Sequence, residues 1–287
     1  MKKIAIVGLG VIGGSFAKAF KMSDSSNYYV MGIDADQTAI DKALEAGVIT
    51  EGETENKTIL QRADIVIIAL YPELIKEFFV KYQDDFKEGA IITETSGIKQ
   101  HVIQSIARHI PEQVDVIFGH PMAGRESSGF DYSDHTAFIG ANYVLTPLKI
   151  NKTENIEKFK ALLNKIGFQR ITEVSPEVHD ELIAYTSQLT HVIAASLINS
   201  DQPERNTVQF IGDSYRDLTR IAKMNETLWS ELMLNNKEAL LNVIESFEAE
   251  VDLIKTALIN DDKATLEAKF LEATKRRVDL EEKDLMS

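Results

Sequence analysis

The chain has no cysteine in its 287 residues. That absence removes disulfides, thiolate nucleophiles and cysteine metal sites together. It also has no H-E-x-x-H segment, so no metal site is expected. Proline is scarce, with six residues and none beyond Pro203, and Gly212 is the one glycine after Gly167. The C-terminal part therefore lacks chain breakers and reads as long helices. No apolar run approaches the roughly 18 residues of a membrane span. Lys2-Lys3 ahead of an apolar stretch resembles a secretion signal, but Gly8 and Gly10 interrupt that stretch within a few residues. Positive charge is in deficit: 31 Lys and Arg face 45 Asp and Glu, a net charge of −14. Such a chain repels phosphates, which argues against nucleic acid or an anionic membrane as partner. An anionic substrate would have to be met by locally placed arginines. A cytoplasmic location is the expectation.

What is present begins with an ordinary globular composition, 44% hydrophobic and 26% charged, on a chain long enough for two domains. The N-terminal run Lys3-Ile4-Ala5-Ile6-Val7 leads straight into Gly8-Leu9-Gly10-Val11-Ile12-Gly13. This is a strand followed by G-x-G-x-x-G, with a helical pattern after it (Phe16, Ala17, Ala19, Phe20). Gly8 permits the tight turn, Gly10 lets a pyrophosphate approach the backbone, and Gly13 lets the helix pack on the strand. The helix N-terminus at Val11 and Ile12 then points backbone N–H groups at phosphate. A second strand, Tyr29-Val30-Met31-Gly32-Ile33, ends at Asp34, 21 residues after Gly13. A carboxylate there accepts hydrogen bonds from ribose hydroxyls and repels a 2′-phosphate, so NAD is favoured over NADP.

Strands are expected at 4–7, 29–33, 65–70, 90–94, 114–118 and 143–145, with helical spacing at 39–46, 74–82, 100–109 and 154–166. Such β-α alternation with near-continuous Val and Ile strands predicts an α/β fold, a Rossmann-type doubly wound parallel sheet. A short strand at 170–174 would add to the sheet edge. Ser175-Pro176-Glu177 is a strong helix start, with a capping serine, proline at the first helical position and an acid in the first turn. The domain boundary is placed there: 1–174 for the NAD-binding domain and 175–287 for an all-α domain. Helices are expected at 176–199, 214–224, 226–260 (with a break allowed) and 263–283.

Reactive groups in such folds lie at the carboxyl ends of the strands. Three ends stand out: Leu70-Tyr71-Pro72, Glu94-Thr95-Ser96-Gly97-Ile98-Lys99, and Gly119-His120-Pro121-Met122-Ala123-Gly124. His120, just past a buried strand, titrates in the range of a general base, or else is structural. His101, His109 and His135 read as surface or structural. Ser187 and His191 are one helical turn apart, as are Arg216 and Arg220. A salt bridge, with Asp213 or Asp217 for example, is the reading for Arg216. For Arg220, a substrate carboxylate held in bidentate fashion stands beside an internal ion pair. Leu232, Leu240, Leu241, Ile244 and Phe247 form apolar stripes that suit a subunit interface or an intradomain core.

The ordered set Gly8–Ser15, Gly119-His120-Pro121-Met122-Ala123-Gly124 through Gly129, Ser187-Gln188-Leu189-Thr190-His191, Arg216-Asp217-Leu218-Thr219-Arg220-Ile221-Ala222, Trp229 and Asn235-Asn236 resembles the prephenate/arogenate dehydrogenase family. The resemblance implies an N-terminal Rossmann-type domain and a C-terminal helical domain that forms a homodimer. It implies the NAD-dependent oxidative decarboxylation of prephenate to 4-hydroxyphenylpyruvate in tyrosine biosynthesis. By the same resemblance, His120 helps remove the ring 4-hydroxyl proton as hydride leaves C4. Arg220 binds a substrate carboxylate, His191 and Ser187 line the substrate pocket, and Glu126 sits near its mouth, where it can pair with the arginine. Ser96 is the second catalytic candidate, at the 4-hydroxyl. Many members read D-x-G-S-V-K where this chain has Glu94-Thr95-Ser96-Gly97-Ile98-Lys99, with serine and glycine exchanged. Arogenate, which carries an amino group in place of the keto group, is the alternative substrate. A different two-domain oxidoreductase is a further alternative. The G-x-x-x-K helix start of β-hydroxyacid dehydrogenases is missing, since Arg216 follows Gly212.

Overall fold

Six short strands set the architecture, three of them built mainly from apolar residues. In the computed structural model, which describes residues 1–24, 27–124, 127–202 and 204–286, β1 (Lys2–Val7), β2 (Tyr28–Ile33), β3 (Glu51–Glu53), β4 (Ile65–Ile68), β5 (Ile91–Glu94) and β6 (Asp115–Val116) form one sheet. Its order is β3-β2-β1-β4-β5-β6 and every pairing is parallel. Alternation along β1 shows why both faces are covered. Ile4 and Ile6 pack with Phe16, Phe20 and Phe159 on one face, while Ala5 and Val7 pack with Ile75, Phe79 and Val102 on the other. The covering helices are α1 (Val11–Asp24), α2 (Gln37–Glu45), the single turn α3 (Ile59–Arg62), α4 (Pro72–Tyr82), α5 (Gln100–Ile106) and α6 (Thr153–Lys165).

The strand expected at 114–118 divides in two. The Ile117 N–H still donates to the Ile92 carbonyl at 2.8 Å, the last link to the parallel sheet. The chain then turns away as β7 (Phe118–Pro121) and pairs antiparallel with β8 (Asn142–Thr146). Gly119 makes this possible, because a Cβ there would lie 2.4 Å from the Tyr143 ring. His120 is thus inside a strand, opposite Val144, and not in a loop beyond one. The segments expected at 143–145 and 170–174 likewise leave the parallel sheet. As β8 and β9 (Arg170–Glu173) they complete a second sheet of three strands.

Beyond β9 the chain is helical. Ser175 caps α7 (Pro176–Ile183), its hydroxyl accepting from the Val178 N–H at 3.3 Å. The helix expected at 176–199 is interrupted by a π-helical turn at Ala184–Gln188 before α8 (Leu189–Asn199). There follow α9 (Asp213–Thr219), a 3₁₀ turn at Arg220–Ala222, α10 (Glu226–Asn235), α11 (Lys237–Ile259) and α12 (Lys263–Met286). The long helix expected at 226–260 breaks at Asn236. Two compact units result, Met1–Lys237 and Glu238–Ser287. In the second, α11 and α12 are joined across Asp261, which takes a left-handed backbone (φ 51°), and Lys269 pairs with Glu250 at 3.0 Å. Among the described residues no helix is long and apolar enough to cross a membrane.

Candidate active site

The glycine loop has the geometry its motif requires. Gly8 has φ 85°, and a Cβ there would stand 2.5 Å from the Ala69 carbonyl oxygen. At Gly13 a Cβ would fall 1.8 Å from the Gly8 carbonyl oxygen, so helix and turn can meet only with glycine. Gly10 differs: nothing lies within 4 Å of its Cβ position, which leaves an open cradle in front of Val11 and Ile12 at the start of α1. Asp34 closes the other side. Its carboxylate accepts from the Leu9 N–H at 2.6 Å and the Asp36 N–H at 2.8 Å, which ties the end of β2 to the loop. A diphosphate and a ribose fit such a cradle, so the donor set suits a dinucleotide.

Around His120 the structure assembles a relay. His120 Nδ1 faces His179 Nε2 at 3.0 Å, and His179 Nδ1 faces Asp180 Oδ1 at 2.7 Å. The Asp180 carboxylate also accepts the backbone N–H groups of Lys99 and Gln100, each at 2.8 Å, so α7 is clamped onto the start of α5. His179 and Asp180 are almost fully buried. Burial, then the charges of neighbouring His179 and Lys99, hold the His120 imidazole well below its ordinary pKa of 6.5. Burial also lowers His179, against the opposing pull of Asp180. His120 is therefore a neutral imidazole at neutral pH, able to accept a proton.

The loop after β5 borders this ring. A Cβ on Gly97 would come 3.7 Å from His120 Cε1 and 3.8 Å from Nε2, with Leu232 of α10 as near. The Ser96 hydroxyl is engaged within its own loop. It lies 2.5 Å from Glu94 Oε2 and 2.9 Å from the Ile98 carbonyl. The second Glu94 oxygen pairs with Lys99 in a fully buried contact. Desolvation pulls the Lys99 ammonium below its ordinary pKa, opposed by the Glu94 charge.

On the helical side, the His191 ring stacks on Trp229 with centroids 3.6 Å apart. Its Nδ1 donates to the Ser187 carbonyl at 2.9 Å. Ser187 therefore meets His191 through its backbone, within the π turn, a distortion that recurs at functional sites. Trp229 and Leu232 share one face of α10, so this helix joins the His191 stack to the Gly97–His120 contact. Arg220 opens the turn after α9 and is exposed, while Arg216 pairs with Asp213 at 3.1 Å. Glu126 lies outside the described residues. Sequence reasoning passed over His179 and Asp180. Their adjacency in the first turns of a well-capped helix was a signal, but partners 80 residues away could not be read from it.

A parallel sheet in this order, with its glycine loop and an acid after the second strand, defines a Rossmann-type dinucleotide-binding protein. Residues 16–172 match the prephenate dehydrogenase nucleotide-binding domain, and residues 175–272 match the prephenate dehydrogenase dimerization domain. The chain belongs to the prephenate dehydrogenase family. Prephenate dehydrogenase of Bacillus subtilis (strain 168) is 30% identical, over 92% of this chain and 72% of that one. Cyclohexadienyl dehydrogenase of Zymomonas mobilis is also 30% identical, over 97% of this chain and 96% of its own. Prephenate dehydrogenase from A. aeolicus, crystallised with hydroxyphenyl propionate and NAD+, superposes with a TM-score of 0.89 at 28% identity, over 98% of both chains.

Proposed function

We propose that the protein is an NAD-dependent dehydrogenase that converts prephenate to 4-hydroxyphenylpyruvate and CO2, and so serves tyrosine biosynthesis. The observation that carries this reading is the placement of His120, its Nδ1 held by His179 and its Nε2 bordered by Gly97. Gly8, Gly10, Val11, Ile12, Gly13 and Asp34 would hold the cofactor. When bound, NAD+ supplies the acceptor for the hydride from C4. His120 takes the 4-hydroxyl proton as that hydride leaves. The C1–carboxylate bond then breaks to CO2, its electron pair restores the aromatic ring, and His120 returns the proton to the phenolate oxygen. Arg220 binds a carboxylate of the dianionic substrate, with His191 and Ser187 along the pocket wall. Ser96 supports the Gly97 loop through Glu94.

The same reading places a functional boundary near 174, with 1–174 binding the dinucleotide and 175–287 serving substrate and self-association. It makes the protein a cytoplasmic homodimer, with neither nucleic acid nor membrane as partner. The exposed apolar residues of α11 and α12, among them Leu258, Ile259 and Phe270, support association with a second copy. A second reading, arogenate as substrate, is favoured by the equal identity to the cyclohexadienyl enzyme. Absorbance at 340 nm separates the two, with prephenate and arogenate each mixed with NAD+ or NADP+. A rise with prephenate and NAD+ is expected. A rise with arogenate alone replaces prephenate as substrate, and a flat trace in all four cells contradicts the reading.

A further inference from the structure

Asp180 uses both carboxylate oxygens as acceptors, Oδ1 from the Lys99 N–H and Oδ2 from the Gln100 N–H. The His179 nitrogen 2.7 Å from Oδ1 must therefore be the donor, which puts the His179 proton on Nδ1. With Nδ1 protonated, the Nε2 of a neutral His179 can only accept. It stands 3.0 Å from His120 Nδ1, so the His120 proton belongs on Nδ1. We propose that His179 is a positioning residue for His120: the chain Asp180–His179–His120 fixes the His120 tautomer and leaves Nε2 bare to receive the substrate proton. This rests on the reading of His120 as the base.

The surroundings enforce one direction of the relay. Asn236 donates to the Asp180 carbonyl and to Gln188 Oε1, each at 2.9 Å, which locks the first helical turns of α7. The charged and titratable groups around His120 are His179 and Asp180 from α7, with Lys99 and Glu94 from β5 and its loop. Burial first, and the nearby Lys99 charge after it, disfavour an imidazolium at either ring, which favours neutral histidines. Without this chain, a neutral histidine would place its proton on either nitrogen, and half the choices would block proton acceptance at Nε2.

Histidine 15N NMR on the full wild-type chain reads the tautomers directly. The expected result is a protonated Nδ1 and a bare Nε2 on both His120 and His179. A proton on Nε2 of His120 overturns the proposal. Kinetics provide the second arm. His179→Gln keeps an acceptor toward His120 and a donor toward Asp180, so kcat should stay within about threefold of wild type. His179→Leu keeps bulk but neither group, and should lower kcat by ~10²-fold with KM for NAD+ and prephenate unchanged. A folded His179→Leu with wild-type kcat also overturns the proposal. Should the tautomers be as stated while no cyclohexadienyl substrate is oxidised, the relay stands and the reading of His120 as a base for this reaction fails.

Discussion

The two compact units use apolar residues in opposite ways. In Met1–Lys237 the large apolar side chains go inside: Phe16, Phe20, Phe79, Phe118, Phe138 and Phe159 are fully buried. In Glu238–Ser287 only Leu240 and Ala257 are buried among the described residues, while Leu258, Ile259, Phe270 and Leu271 lie open. Both units are patterned for burial, but the first finds its cover within itself. A sheet with helices on both faces closes its own core, whereas two helices carrying apolar stripes leave surface for another chain to cover. The proposed active site lies in the first unit. The relay and the Glu94–Lys99 pair sit in desolvated surroundings that hold histidines neutral and fix side-chain geometry.

This contrast can be broken at its largest point first. Phe16→Ala removes a ring that contacts Phe20, Phe138 and Phe168, and should cost about 3–5 kcal/mol of stability in denaturant unfolding. Phe270→Ala, at a site 58% exposed, should change stability by no more than ~0.5 kcal/mol. It should instead weaken self-association in sedimentation equilibrium. Equal losses of stability from the two variants would erase the distinction between the units.

A smaller effect is expected at Asp34. Its carboxylate holds the Leu9 N–H and would face the ribose, so Asp34→Ala should raise KM for NAD+ and relax the preference over NADP+ by about tenfold, one good charged hydrogen bond. Unchanged discrimination in steady-state kinetics would remove Asp34 from the cofactor site.

The smallest effect is on stability against pH. His120 and His179 have folded-state pKa values below 6.5, so in mildly acid solution the unfolded chain binds more protons than the folded one. Their contribution is complete above about pH 6.5, the ordinary histidine value, and is lost as pH falls toward the lowered values. Melting temperatures should decline through that window, and less steeply in His179→Gln. A flat profile would mean that the two rings are not held neutral.

Much of this arrangement was legible in the residues. The run Lys3–Gly13 with Asp34 marked the cofactor loop, because strand, turn, helix and acid each need a specific residue at a specific spacing. Ser175-Pro176 marked a helix start that the structure reproduces, since capping is a local matter. Long-range decisions were not legible. The departure of β7 from the parallel sheet depends on Gly119 passing over Tyr143, a contact between residues 24 positions apart. Glu51–Glu53 has no apolar signature and becomes a strand by pairing with Met31–Ile33. Ser96 looked available for chemistry, but its hydroxyl is turned to Glu94, two residues before it in the chain. The His179–Asp180 pair gained meaning only when α7 was packed against the start of α5.

The central claim is that His120 is the proton acceptor of the reaction. Its most direct test is His120→Asn, measured for NADH formation at 340 nm and for NADH binding by fluorescence. The account predicts a fall in kcat of ~10²–10⁴-fold with NADH binding unchanged. Turnover close to wild type in that variant would contradict it.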